Sequence, residues 1–414
     1  MPMPDAAGAL PAIARERLAI LVGSPLTENI YRRIGAEELS AHFDIIVVDC
    51  LEWVRCFSEH TKFVKKVSPN IIDARSEAEL NVIFGQKRPA VVVDFLGRGT
   101  YTRSVQEACR AVGARYVTHH LVPVPAVVSS QAPLQSLLRH PWKTFGKLVR
   151  HLWRRIRCRN PYPPDVALIA GRKSENPWLI SAGAVIRTAT PGYFELEQVK
   201  KVQERGVFEL PGLKDRQYLL FIDDCLALSF DFLLGSLSPI VTPEHYHQVL
   251  NRFFDQVEQA TGLPMVIAAH PDGKEYPNYA QLFAGRPLFH GSTALLSLGC
   301  ACAFTHFSSA INYAVLLRKP IAILTFDKLR AAPQGEIAAL IAALLERPLL
   351  DMSSQSSSSH ALLAKIMDAP SEGAYANYAR AYIVDTDAPG EHPFENLVNH
   401  LKAVLGNATR PDEH

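Results

Sequence analysis

The sequence predicts an α/β protein made of two doubly wound, parallel-sheet domains that face a cleft. Short apolar runs recur along most of the chain and alternate with stretches of helical spacing. Near-continuous apolar strands separated by helices mark a parallel sheet covered on both faces. A length of 414 residues suits two domains. In three runs of the second half, polar residues gather at the carboxyl end, where open α/β sheets place their ligands.

Taken in order, Leu18–Val22 reads as a strand ending in the turn Gly23-Ser24-Pro25. Ile45–Val48, Ala90–Val93 and Arg115–Thr118 follow as strands, and Val166–Ala170 and Ala184–Arg187 add two more. Arg103–Val112 carries a helical pattern between them. The theme repeats after a hinge placed between about 190 and 215. Tyr218–Ile222 is a strand, and Pro243 opens a helix running to about Thr261, since proline is favoured in a first turn. Strand 264–269, a weak strand near 287–289, strand 300–304, a helix over 309–317 and strand 321–325 complete the series. The expected division is an N-terminal domain over 1–205, a C-terminal domain over 206–345, and a helical segment over 346–414 that packs back across both. Residues 353–359 are a serine-rich, low-complexity loop. No internal repeat of 20–50 residues is present.

Composition narrows the function classes. The chain is 48% hydrophobic and 20% charged, as ordinary globular cores require, and its net charge of +2 argues for no particular partner. Seven cysteines, an odd number without paired metal spacing, fit a reducing compartment. The start of the chain lacks a basic region followed by an apolar one, so no signal peptide is expected. No stretch of about 18 residues is apolar enough to span a membrane. A cytoplasmic protein is expected. Gly23-Ser24-Pro25 and Gly97-Arg98-Gly99 match neither the dinucleotide fingerprint nor a phosphate-binding P-loop, which argues against nicotinamide and flavin enzymes.

Three polar clusters carry the chemistry: Asp223-Asp224, His270-Pro271-Asp272-Gly273-Lys274 and Thr305-His306-Phe307-Ser308-Ser309. Ser308 or Ser309 stands where a helix begins, and helix amino termini with free hydroxyls suit a phosphate. Proline holds the residue before it extended, so His270 projects beyond its strand and can bond or protonate a leaving phosphate, with Lys274 adding charge. Adjacent carboxylates at the mouth of an apolar strand are costly unless solvated or used. One can serve as base or nucleophile, and alternation along a strand sends only one of them into the site. The competing readings are an ordinary serine cap, a capped loop histidine and turn-forming aspartates. No third carboxylate lies nearby in sequence, so no metal is expected.

This ordered set resembles the bacterial GT-B glycosyltransferases that use CMP-activated sugars. It is most like the retaining β-Kdo transferases of O-antigen and capsule synthesis. The resemblance rests on Leu219–Asp224, Met265–Pro271, Phe283–Arg286, Gly291–Thr293, Thr305–Asn312 and Arg318–Thr325, and covers about residues 215–330. It implies Asp223 as the catalytic carboxylate, with Asp224 as the other candidate. The carboxylate is a nucleophile in retaining enzymes and a base in inverting sialyltransferases. It implies a CMP-sugar donor such as CMP-Kdo, held at the phosphate by His270, Ser308 and Ser309. The wider donor set is Pro271, Lys274, Gly285, Arg286, Thr293, Thr305 and Asn312. A glycan acceptor would meet the N-terminal domain at Gly23, Ser24 and Arg98. No metal or other cofactor is implied. The sialyltransferases usually have glycine after the acidic pair, where this chain has Cys225. An inverting transferase of another nonulosonate and a non-catalytic scaffold for polysaccharide assembly are the alternatives.

Residues 139–159 hold eight Lys or Arg and no acid, with Trp142, Phe145, Leu148, Val149, Leu152, Trp153 and Ile156 at spacings of three and four. A basic amphipathic helix with tryptophan suits an anionic membrane surface, where a lipid-linked acceptor would sit. Packing of its apolar face on the N-terminal domain is the other reading. Nucleic acid is a poorer partner, because no binding module accompanies the patch.

Overall fold

The computed structural model describes residues 15–55, 70–125, 161–205, 213, 217–228, 240–354, 359–385 and 390–408. The basic stretch 139–159 lies outside them. Of the expected hinge, 190–215, the first part is the helix Pro191–Glu204, and 206–212 and 214–215 lie outside the described residues. Two parallel sheets organise the chain. The first has seven strands in the order β3-β2-β1-β4-β5-β6-β7 and the second has six in the order β10-β9-β8-β11-β12-β13. The described residues divide into two compact units, one reaching Val117 and including 161–162, the other holding the rest from Thr118 onward.

In the first sheet the strands are β1 (Arg17–Val22), β2 (Asp44–Asp49), β3 (Ile71–Asp73), β4 (Val91–Phe95), β5 (Arg115–His120), β6 (Val166–Ala170) and β7 (Ala184–Thr188). Strands β1, β2, β4 and β6 are buried on both faces, which is why they read as near-unbroken apolar runs, whereas the edge strands β3 and β7 are partly exposed. The sequence reading missed β3 here and, in the second sheet, the strand Leu349–Asp351, each of three residues that carry too little pattern. Gly23, at the end of β1, has a steric reason. A β-carbon there would stand 2.9 Å from Val54 Cγ2 and 3.2 Å from Leu96 Cδ2.

The second sheet comprises β8 (Leu219–Ile222), β9 (Met265–Ala269), β10 (Leu288–His290), β11 (Cys302–Thr305), β12 (Ile321–Thr325) and β13 (Leu349–Asp351), and every ladder is parallel. Alternation sorts its side chains into two layers. Leu219, Phe221, Met265, Ile267, Cys302, Phe304 and Leu324 face the helix Pro243–Thr261, which contributes Tyr246, Leu250, Phe253, Phe254 and Val257. Leu220, Ile222, Val266, Ala268, Ala303 and Ile323 face the opposite layer with Leu296, Ile311, Ile341 and Tyr375. Each fully buried Phe or Leu contributes about 1.5–3 kcal/mol relative to exposure, so these layers dominate stability. The helix Pro243–Thr261 is capped as its sequence dictates. Thr242 accepts from His245 N, and Gly262 closes the far end in the left-handed conformation at φ +69.

One corner device recurs at the strand ends. Asp49, Asp94, Asp223 and Asp351 each turn a carboxylate oxygen back onto the backbone N–H two residues on, at 2.7 to 2.9 Å. Aspartate favours this local bond, which ends a strand and starts the turn.

Candidate functional site

In the second sheet, strand order reverses between β8 and β11. From β8 the chain moves outward to β9 and β10, then returns to the other side at β11. Loops on the two sides of such a switch point diverge and leave a crevice outside the carboxyl ends of the strands, where ligands bind. Asp223 and Asp224 follow β8, and Thr305 to Ser309 end and follow β11, so both clusters border this crevice. His270 follows β9, the next strand out. Polar groups 35 to 86 residues apart in sequence thus meet at neighbouring strand ends.

The two aspartates part company, as the alternation of β8 requires. Asp224 turns toward β11. Its Oδ2 accepts from Thr305 Oγ1 and from His306 N, both at 2.9 Å, and its Oδ1 accepts from Phe307 N at 3.2 Å. This single carboxylate therefore ties the two sides of the switch point together. Burial pushes its pKa up to about 7, opposed by the bonds from His306 and Thr305 and aided by the neighbouring charge of Asp223. A carboxyl whose folded pKa lies above its unfolded value stabilises most at acid pH, and loses that contribution as pH rises through the folded pKa. Between about pH 4 and 7, the stability advantage of the wild type over Asp224→Asn should therefore shrink, by on the order of 1–3 kcal/mol given the group's partial exposure. Urea unfolding at pH 4.5 and 7.5 measures this, and an advantage that grows with pH would refute it.

Asp223 turns the other way and is only 2% exposed. Its Oδ1 accepts from Cys225 N at 2.9 Å, and its Oδ2 accepts from His270 N at 3.1 Å and from the hydroxyl of Tyr279. A carboxylate offers about four lone-pair sites, so these donors leave one, on Oδ1. His270 is extended, at φ −60 and ψ 142. Its Nδ1 accepts from Asp272 N at 3.2 Å, which places the proton of the neutral ring on Nε2 and makes that atom the donor. His290, at the end of β10, pairs in register with Ala269, one residue before His270. Burial and the charge of Lys274 lower its pKa.

The serines hold the turn rather than the helix itself. The helix spans Ile311–Leu316, and Ser308 Oγ accepts from Ala310 N at 3.3 Å within the turn before it. Ser309 is exposed. Asn312 is buried, and its Oδ1 has no partner. Thr305 accepts from Ser308 N while donating to Asp224. Beneath the turn lies fully buried His306. Its Nδ1 meets Leu324 O and its Nε2 the hydroxyl of Tyr246, both at 2.9 Å, and burial pushes its pKa down to about 4. A neutral imidazole that donates at Nδ1 and accepts at Nε2 satisfies both partners. His306 thus fastens the turn to the sheet.

Other predicted site residues are distributed as follows. Pro271 and Lys274 are exposed on the 3-10 helix Pro271–Glu275, next to His270, and Thr293 opens the helix after β10 at the same end of the sheet. Gly285 and Arg286 are not brought to this cluster. They precede β10, so they lie at the opposite end of a parallel strand from His290. The Arg286 guanidinium donates to Glu258 at 2.7 Å, to Asn251 at 3.2 Å and to Asp255, all on the helix Pro243–Thr261. Gly23, Ser24 and Arg98 follow β1 and β4, which flank the switch point of the first sheet.

The sequence reading missed Tyr279, Tyr246 and Asp94. Asp94, on β4, is bonded to Tyr116, and burial raises its pKa to about 6. An acid inside the apolar run Val91-Val92-Val93-Asp94-Phe95 was the available signal. Tyr279 sits in a polar loop and offered none. Among the described residues, no three His, Cys, Asp or Glu side chains are grouped to hold a metal ion, and no helix is long and apolar enough to cross a membrane.

No protein-family profile matches the chain, and no curated protein matches its sequence. Solved structures do match. The wall teichoic acid polymerase TagF, in an H444N variant, aligns over 96% of this chain and 90% of its own, at 14% identity and a TM-score of 0.50. MurG of Acinetobacter baumannii aligns over 94% of this chain and 99% of its own, at 10% identity and a TM-score of 0.48. The UDP-GlcNAc 2-epimerase of Neisseria meningitidis, solved bound to UDP-GlcNAc, aligns over 94% of this chain and 100% of its own, at 14% identity and a TM-score of 0.46. At such identities the likeness concerns the fold, which is of GT-B type: two Rossmann-like domains, each on a parallel sheet.

Proposed function

We propose that this protein is a glycosyltransferase that moves Kdo from CMP-Kdo to a glycan acceptor in bacterial surface polysaccharide synthesis. The observation that carries the reading is the meeting of Asp223-Asp224, His270 and Thr305-Ser309 around the switch point of the second sheet, on a GT-B scaffold. The motif resemblance supplies the CMP donor and Kdo.

The chemistry follows from the groups present. His270 Nε2 donates to the phosphate as CMP leaves, and Ser308 and Ser309 bind the same phosphate from the turn after β11. The C–O bond from the anomeric carbon to phosphate breaks with its electrons on CMP, and the sugar becomes oxocarbenium-like. The free lone pair of Asp223 Oδ1 stabilises that carbon, or bonds to it in the retaining course. An acceptor hydroxyl then displaces the carboxylate and passes its proton to a phosphate oxygen of the departed CMP. Product with the donor's anomeric configuration indicates two displacements, and inverted product a single one in which Asp223 takes the hydroxyl proton.

Calorimetric titration with CMP, UMP, GMP and AMP, on wild type and on His270→Ala, tests the donor site. CMP should bind most tightly, and the substitution should weaken it about tenfold or more, the worth of one charge-assisted hydrogen bond. Preference for another nucleotide, or none for any, sinks the CMP reading.

A further inference from the structure

Around Asp223 the backbone adopts three unfavourable or exacting conformations, and all three serve one side chain. Cys225 is a non-glycine residue at φ +51, in the left-handed region that favours glycine. Asn278, just before Tyr279, is left-handed at φ +63. Gly273 must lack a β-carbon, because one would collide with Tyr279 Cε1 and stand 2.6 Å from its Cδ1. The ring's other contacts are Phe283, at 5.5 Å between centroids, and Tyr276, at 6.5 Å. Tyr279 is thereby held 4% exposed with its hydroxyl on Asp223 Oδ2.

Cys225 completes the arrangement. Its backbone N–H donates to Asp223 Oδ1 at 2.9 Å. The phenol proton of Tyr279 goes to Oδ2, to which the His270 N–H also donates at 3.1 Å. Glycine would adopt φ +51 without strain and give the same N–H, so the contact at position 225 belongs to the backbone.

We infer that Tyr279 is a positioning residue that, together with the backbone N–H of Cys225, clamps the Asp223 carboxylate, filling Oδ2 and aiming the free lone pair of Oδ1 at the reacting carbon. This deepens the proposed function and rests on it for the identity of that carbon. The clamp acts on Asp223 alone and not on the phosphate contacts, so it governs turnover rather than donor affinity.

The test is Tyr279→Phe, read as turnover with CMP-Kdo, CMP affinity and melting temperature. The substitution should lower kcat about tenfold or more, with CMP affinity unchanged within about twofold. A purely structural role predicts a lower melting temperature with full kcat in the folded variant, so full kcat in Tyr279→Phe overturns the clamp. If the wild type turns over no CMP-sugar, the functional reading fails, and the clamp is judged by the ring-carbon NMR resonance of Tyr279. That resonance should move in Asp223→Asn, and a resonance unmoved there overturns it.

Discussion

Asp223→Asn is expected to lower sugar transfer about a thousandfold or more, while CMP affinity stays within a few-fold of wild type. Removing a group that stabilises charge in the transition state costs about that much, and a lost nucleophile costs at least as much. The affinity expectation follows from the geometry. Asp223 gives its oxygens to Cys225, His270 N and Tyr279, whereas the proposed phosphate contacts come from the His270 ring and the turn after β11. The substitution has a structural cost as well. An amide group on the Oδ2 side turns hydrogens toward the His270 N–H and the Tyr279 hydroxyl, which also donate, for a loss of about 1–3 kcal/mol. Melting curves and CMP titration on the same preparation separate that loss from the catalytic one. Unchanged turnover would remove Asp223 from the chemistry, and unchanged glycan synthesis in cells carrying Asp223→Asn would favour the scaffold reading.

Arg347→Ala should destabilise the fold by about 3–5 kcal/mol, the largest single effect expected outside the site. Arg347 is buried, and among the described residues its hydrogen bonds all go to backbone carbonyls. Nε donates to Ile321 O at 2.8 Å, Nη1 to Asp368 O at 2.9 Å and to Ala369 O at 3.4 Å, and Nη2 to Ile366 O at 3.3 Å. These lie at the amino end of β12 and at the carboxyl end of the helix Ser359–Met367, where the helix dipole is negative and carbonyls lack partners. Removing the guanidinium strands several buried acceptors together. Arg347→Lys should recover only part of the loss, since one ammonium cannot reproduce the planar fork. Urea unfolding measures both, and a loss below about 1 kcal/mol for the alanine variant would refute the account. CMP affinity of the folded variant should be unchanged, because Arg347 bonds the amino end of β12 and the site stands at the carboxyl ends.

Much of the site could be read in the sequence because its signals are local. Apolar runs of four to six residues announced β8, β9, β11 and β12, and polar residues just after them stood at the carboxyl ends. Alternation within Phe221-Ile222-Asp223-Asp224 said that the two carboxylates would diverge, and they do, one toward Tyr279 and the other toward Thr305. The departure from glycine at Cys225 was also visible, but not its meaning. Only the backbone conformation shows that the position kept the glycine geometry with a thiol attached.

Gly285 and Arg286 show where local reading fails. They stand five and four residues before His290, yet a residue that precedes a parallel strand lies at the opposite end of the sheet from one that ends it. Roughly 10 Å of strand separates those ends for a three-residue element. The acids at 255 and 258 that hold Arg286 lie on a different element.

The chain's local periodicities dictated its class, most of its strands, and the end of the sheet where chemistry gathers, since burial on both faces and alternation along a strand are written residue by residue. Strand order was not written that way. The reversal between β8 and β11 depends on which edge each crossover chose, and it brings Asp224 to Thr305 across 81 residues and Tyr279 to Asp223 across 56. Those choices belong to the packing of whole layers, whose energies are summed over many side chains and leave no mark on any single one.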